Sequence, residues 1–79
     1  MPLYFFDTRD NDLFIQDDIG AEHPDLESVK VEAAKALAEL ARDVLPGSLR
    51  RELAVEVRDK AGPILIARMT FEAIILRAA

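Results

Sequence analysis

The hydrophobic and polar positions of this chain repeat with two different periods, which predict a hairpin, a helix and a second hairpin. The segments Leu3–Thr8 and Leu13–Asp17 are rich in aromatic and branched residues, as strands are. Between them, Asp10, Asn11 and Asp12 suit a tight turn, because short Asx side chains bond nearby backbone groups and tolerate left-handed conformations. We therefore expect the chain to open with a β-hairpin.

The polar gap predicts a register for this first hairpin. Thr8 is expected to face Leu13, which makes Phe6 face Ile15. One face of the hairpin then carries Tyr4, Phe6, Leu13 and Ile15. The other face carries Leu3, Phe5, Asp7, Phe14 and Gln16.

The middle of the chain has helical periodicity from Asp25 to about Leu45. Apolar residues recur there at steps of three and four, which predicts one apolar stripe. The stripe consists of Leu26, Val29, Ala33, Leu37, Leu40 and Val44. Asp25 is the expected N-cap, Glu27 complements the helix dipole, and Pro46 and Gly47 end the helix.

The C-terminal part alternates cleanly, which predicts a second hairpin built from Leu53–Asp59 and Ile64–Glu72. The predicted pairs are Val57 with Leu65, Val55 with Ala67, and Leu53 with Met69. A three-residue loop of Lys60, Ala61 and Gly62 remains, with glycine at the position that favours a positive φ.

Together these elements predict a single α+β domain over residues 1–79 with the order β-β-α-β-β. The economical packing is a four-stranded antiparallel sheet with one helix on one face. A chain of this length buries only about 60–65% of its unfolded surface, so its stability is small.

Several stretches have a familiar appearance once the elements are placed. They are "MPLYFFDTRDNDLF", the "DDIGAE" turn, "HPDLESVKVEAAKALAELA" and "LAVEVRDKAGPIL". Over nearly its whole length the chain resembles a family of short bacterial proteins catalogued only as a domain of unknown function. That family often has Asp-Gly in the first turn, where this chain has Asp10-Asn11. The resemblance implies the fold but supplies no activity, cofactor or site residue. A looser likeness, limited to hairpin plus helix, connects the chain to antitoxin subunits with a partial ribonuclease-H-like fold.

The charge and composition of the chain reduce the number of functional classes to which it could belong. The net charge is −5, which disfavours nucleic acid as the main partner. There is no cysteine, no basic region ahead of an apolar run at the N-terminus, and no apolar stretch long enough to cross a membrane. The expectation is a cytoplasmic protein that does not associate with membranes.

The segment Asp7–Glu27 is the most acidic, with eight carboxylates and one basic residue, Arg9. Alternate positions of a calcium loop would place Arg9 or Phe14 where an oxygen ligand is required. We therefore expect no metal site, and we interpret these acids as residues of turns and of the helix start.

The chain offers little for catalysis. His23 is its one histidine, there is no cysteine, and the hydroxyls are scattered, so nucleophile, base and orienting group cannot be assembled. We expect no enzyme activity, no cofactor and no small-molecule ligand. The basic group of Arg50, Arg51, Arg58 and Lys60 favours an alternative, an antitoxin-like or nucleic-acid-associated regulatory domain.

One predicted surface has no cover. A single helix covers one sheet face, and the opposite face carries Leu3, Phe5, Phe14, Ile64 and Ile66, with Phe5 and Phe14 as diagonal neighbours. The C-terminal "AIILRAA" either folds over this face, extends the last strand, or is a tail. The favoured function is a small non-catalytic protein-interaction module, which self-associates or binds a protein partner through the open face or a sheet edge.

Overall fold

A computed structural model describes residues 1–78 as one antiparallel sheet with a single long helix across one face. The elements are β1 (Leu3–Asp10), β2 (Leu13–Ile15), β3 (Ala21–Glu22), α1 (Leu26–Val44), β4 (Arg50–Asp59) and β5 (Gly62–Glu72). The strand order is β2-β1-β4-β5, and the short β3 pairs with the start of β1. The predicted α+β architecture is confirmed, with one additional short strand.

The core lies between α1 and the middle of β4. Its fully buried members are Val29 and Ala33 on the helix and Val55 and Val57 on the strand. The helix begins where the sequence predicts, because the Asp25 carboxylate accepts a hydrogen bond from the Ser28 amide at 2.8 Å. It ends after Val44, and Gly47 follows with a φ of 86°.

The second hairpin has the predicted register. Val57 pairs with Leu65, Val55 with Ala67, and Leu53 with Met69. The strands are longer than predicted, since β4 begins at Arg50. The loop is shorter, because an irregularity after Val57 lets Asp59 pair with Gly62, whose φ is 125°.

The predicted register of the first hairpin is wrong by two residues. Thr8 faces Ile15 rather than Leu13, and Asp10 faces Leu13. The turn therefore contains only Asn11 and Asp12, and Asn11 adopts a φ of 53°, which asparagine tolerates. A shift of two preserves which residues share a face but changes every cross-strand neighbour.

The helix does not cover the whole of its sheet face. Leu13 and Ile15 lie on the predicted face, yet they are 59% and 56% exposed. α1 packs mainly against β4 and β5, with Tyr4 and Phe6 of β1 at the margin of the core, so the β2 side extends beyond the helix. β2 also ends at Ile15, whereas the sequence predicted a strand to Asp17.

Candidate interaction surface

The sheet face opposite α1, here called the open face, carries all five residues that the sequence predicted there. Leu3 and Phe5 lie on β1, Phe14 on β2, and Ile64 and Ile66 on β5. Phe14 is 42% exposed and Ile66 is 52% exposed. The two outer strands of the open face therefore both present apolar side chains to solvent.

These five residues do not form one continuous apolar patch. The corrected register places Phe14 opposite Arg9, so the predicted diagonal contact between Phe5 and Phe14 is wrong. Each ring lies beneath an arginine instead. The Arg9 guanidinium lies 4.6 Å from the centre of the Phe14 ring, and the Arg58 guanidinium lies 4.5 Å from that of Phe5. Cation–π contacts of this kind add electrostatic attraction to the packing.

A buried carboxylate anchors the charged part of the open face. Asp7 is 5% exposed and accepts hydrogen bonds from Arg58 Nε at 2.9 Å and from the Asp17 amide at 2.8 Å. Arg58 also donates from Nη2 to the Asp17 backbone carbonyl at 3.0 Å. This arrangement satisfies a charge that would otherwise be costly to bury.

Asp17 closes the gap between β2 and β3. Its carboxylate accepts from the amide of Phe6 at 3.0 Å, and thereby replaces the strand partner that β1 lacks at that position. It also accepts from the amides of Ile19 and Gly20 at 3.0 and 3.1 Å. The predicted turn toward Gly20 is present, and Asp17 is the residue that organises it.

The surroundings of Asp17 change its acidity. Burial by itself raises the pKa of this carboxyl group, but the three amide donors outweigh it, and Arg58 adds a smaller attraction. The net pKa lies below the ordinary value of 3.8. Asp17 is therefore held in its ionised form by the folded backbone.

A second ion pair, between Arg9 and Glu56, lies in the middle of the open face. Arg9 Nε donates to Glu56 Oε2 at 2.7 Å, and this hydrogen bond raises the pKa of the Arg9 guanidinium. The pair lies on the two central strands, between Phe14 on one outer strand and Ile66 on the other. The apolar residues of β5 are thus separated from Phe14 by charged side chains.

The outer edge of β5 pairs with no strand among residues 1–78. Its backbone orientation follows from one contact, in which the Ala73 amide donates to the Leu49 carbonyl at 2.8 Å. In an antiparallel ladder alternate residues bond the same neighbour, so odd-numbered residues of β5 point to β4. The even-numbered residues therefore direct their amide and carbonyl groups outward. In the regular part of the ladder, from the irregularity after Val57 to the end of the strand, they are Ile66, Arg68, Thr70 and Glu72.

The C-terminal segment continues from this edge as an irregular tail. Ala73 keeps the ladder contact with Leu49, and no helix or strand follows within the described residues. Ile74 and Ile75 are each 71% exposed, and Leu76 is 91% exposed. Of the three arrangements predicted for "AIILRAA", the tail is observed for residues 73–78, and Ala79 lies outside the described residues. The side chains of Ile74, Ile75 and Leu76 do not cover the open face.

The remaining chemical candidates are occupied by structural contacts. His23 Nδ1 lies 2.8 Å from Ser28 Oγ, and the ring packs against Tyr4 and Phe6. Asp10, which the sequence predicted as a turn residue, also accepts a hydrogen bond from Arg51 Nη1 at 2.6 Å. Within residues 1–78, no group of His, Cys, Asp or Glu has a geometry that would hold a metal ion.

The predicted basic group does not assemble into one surface. Arg51 pairs with Asp10, Arg58 with Asp7, and Arg50 with Glu72 at 3.4 Å. Arg50 and Arg58 stand at opposite ends of β4, and Lys60 lies in the hairpin loop. Across the described part of the chain, no helix is long and apolar enough to span a membrane.

The fold is that of a small α+β domain, with one helix on a mainly four-stranded antiparallel sheet. Its candidate interaction surface consists of the open face, which carries both apolar and charged side chains, and the unpaired edge of β5. Residues 3–71 match the model of a family described as "Domain of unknown function (DUF6894)". The chain belongs to this family. Neither the curated proteins nor the solved structures contain a match.

Sequence reasoning missed three parts of this surface. It did not place Asp7 against Arg58, it gave Asp17 a turn but not the contact with the Phe6 amide, and it named a sheet edge without identifying it as that of β5. One signal for Asp7 was present, because a carboxylate directly after the aromatic run "LYFF" has apolar neighbours and requires a partner. Nothing local identified Arg58, which is 51 residues away.

Proposed function

We propose that this domain is a non-catalytic protein-binding module. The observation that carries the proposal is the set of apolar side chains along this sheet edge: Ile64 and Ile66 on β5, and Ile74, Ile75 and Leu76 in the segment after it, are all exposed. Arg68, Thr70 and Glu72 separate the two groups along the strand. Exposed apolar side chains grouped in this way often mark an interaction site. A free strand edge beside it offers backbone groups for a partner.

The polar groups of the domain favour binding over catalysis. Asp7 and Asp17 are held by Arg58 and by backbone amides, and His23 packs between aromatic rings and Ser28. A general base needs a lone pair directed toward a substrate, whereas the observed contacts of these groups hold the fold together. The open face has a shallow hollow near Arg9 and Ile66 but no enclosed cleft.

The ion pairs of the arginines give little support to a nucleic-acid role. Phosphate binding needs several free cations on one surface, whereas Arg50, Arg51 and Arg58 each have a carboxylate partner. The net charge of −5 adds a repulsive background. We therefore assign the binding role to a protein partner.

Site-specific photocrosslinking in cells that produce the protein tests this role. A benzophenone amino acid at Ile66 is expected to yield a covalent adduct with a protein, either a second copy or another chain. The same probe at Glu39, exposed on α1, is the matched control and is expected to yield none. Absence of protein adducts from Ile64, Ile66 and Ile74 alike would contradict a protein-binding role.

A further inference from the structure

We propose that two copies of this chain pair through β5, antiparallel and centred on Thr70, and that Ala73–Leu76 of each copy joins the new ladder as a strand. This inference rests on the proposed protein-binding function and names its partner as a second copy. In this register Thr70 of one copy faces Thr70 of the other. A residue that lies a given number of positions after Thr70 faces the residue that lies the same number of positions before Thr70 in the second copy.

The outer amide and carbonyl groups of β5 have the orientation that this pairing requires. Thr70 belongs to the even-numbered set whose amide and carbonyl groups point away from β4. A two-fold axis perpendicular to the sheet keeps even-numbered residues opposite even-numbered residues. The outward groups of the two copies therefore meet in one ladder, and both helices lie on the same side of the joined sheet.

The side chains in this register complement one another. Arg68 of one copy faces Glu72 of the other, and the symmetric pair repeats the contact. Apolar residues face apolar residues throughout. The pairs are Ile64 with Leu76, Leu65 with Ile75, Ile66 with Ile74, Ala67 with Ala73, and Met69 with Phe71.

Neighbouring registers lack this complementarity. Centring the pair on Arg68 sets two guanidinium groups against each other, which is unfavourable. Centring it on Met69 or Ala67 faces Glu72 with Ile66 or with Gly62, and leaves Arg68 opposite an uncharged residue. The single positive charge in the middle of β5, a common means of blocking edge pairing, thus selects one register.

The tail fits the length of this ladder. Ile74, Ile75 and Leu76 extend past Leu49, the residue just before β4 that Ala73 contacts, and they pair with no strand among residues 1–78. In the joined sheet they lie opposite Ile66, Leu65 and Ile64, which covers side chains that are 71%, 71% and 91% exposed in the single chain. The regular ladder ends near Pro63, because the register of β5 against β4 shifts there and proline has no amide to donate.

Disulfide trapping tests the register directly, because the chain contains no cysteine of its own. In the Thr70→Cys variant the two introduced thiols face each other across adjacent strands, within the roughly 4.4–6.8 Å Cα separation that a disulfide requires. Mild oxidation is expected to give a covalent dimer. The matched control is Ile66→Cys, whose copies lie eight positions apart along the ladder and are expected to remain monomeric on a denaturing gel.

A charge exchange tests the same register without a crosslink. Arg68→Glu places two carboxylates opposite each other twice, and is expected to raise the dimer dissociation constant by about tenfold or more in sedimentation equilibrium. Adding Glu72→Arg together with Arg50→Glu reverses both partners, keeps residues 50 and 72 oppositely charged across the two strands, and is expected to restore most of the affinity. Circular dichroism confirms in each case that the variants keep the fold.

The outcomes separate this inference from the function on which it rests. A monomeric wild type at all concentrations, or trapping of Ile66→Cys in place of Thr70→Cys, overturns the β5 pairing centred on Thr70. Either result leaves protein binding intact if photocrosslinking at Ile66 yields an adduct with another protein. Absence of every adduct in that experiment overturns both.

Discussion

Arg58 donates a hydrogen bond from Nε to Asp7 Oδ2 over 2.9 Å, on the sheet face that the helix leaves open. The pair joins the two central strands, and Arg58 also holds the backbone of Asp17. The acidic N-terminal segment is therefore tied to the C-terminal hairpin by Arg58 at Asp7 and Asp17, and by Arg51 at Asp10. The acidic stretch thus has cationic partners within the same chain.

Removal of the Asp7 carboxylate tests this connection. We expect Asp7→Ala to lower the free energy of unfolding by about 2 kcal/mol, because it leaves Arg58 and the Asp17 amide without their acceptor. Urea denaturation measures the change. Asp18→Ala, at an exposed position in the same turn, is the control and should stay within about 0.5 kcal/mol of the wild type. Equal midpoints for the two variants would mean that the Asp7–Arg58 pair contributes nothing.

Asp17 gives the stability a specific dependence on pH. Its pKa in the folded protein lies below the ordinary value of 3.8, so the unfolded chain takes up the proton first as the pH falls. The stabilisation is present above 3.8 and is lost as the pH falls through the lower pKa of the folded state. We expect Asp17→Asn to be less stable than the wild type near neutral pH, with the difference narrowing in acid. A difference that is constant across this range would argue against the ionised carboxylate.

The N-cap of α1 is expected to follow the usual energetics. Asp25→Ala removes the acceptor of the Ser28 amide and should cost about 1 kcal/mol in a urea titration. Asp25→Ser keeps an oxygen acceptor at the same position and should recover most of the loss. If alanine and serine behave alike, the cap makes no contribution to stability.

Two glycines with similar backbone angles provide a matched pair. Gly20 and Gly47 have φ values of 79° and 86°, so alanine is strained at either position. A Cβ atom at Gly20 would lie 3.0 Å from Phe5 Cε1 and 3.1 Å from the Tyr4 carbonyl, while at Gly47 it would meet nothing within 4 Å. We expect Gly20→Ala to lower the free energy of unfolding by ~1 kcal/mol or more beyond the loss caused by Gly47→Ala. The Gly20→Ala variant should therefore also have the lower melting temperature. The reverse order would contradict the close packing of β1 against the Asp17 turn.

The carboxylates of the acidic segment are expected to leave divalent cations loosely bound. Asp7, Asp10, Asp17 and Asp25 already accept hydrogen bonds from arginine or from backbone amides. Calcium and magnesium should therefore bind weakly in calorimetry and should not raise the melting temperature. Micromolar affinity in that titration would require these contacts to be replaced by metal ligands.

The sequence determined the elements whose signals are local. The three- and four-residue spacing in α1, the Asp25 cap and the strict alternation in β4 and β5 predict a helix and a hairpin register that the structure confirms. Each signal depends on residues close together in the chain, and a slip of one residue in the second hairpin would expose its buried valines. The same alternation predicted which residues share the open face.

Tertiary structure decided what depends on distant partners. The shift in the first hairpin preserves its faces, so the alternation of β1 and β2 could not fix it, whereas the pairing of β1 with β4 and the Asp17 carboxylate do. The same contacts place β4 at the centre of the sheet, direct Arg58 to Asp7, and leave β5 with a free edge. A pattern of hydrophobic residues specifies that a face is buried, but the neighbour across a strand is chosen by hydrogen bonds and charges from segments up to 51 residues away.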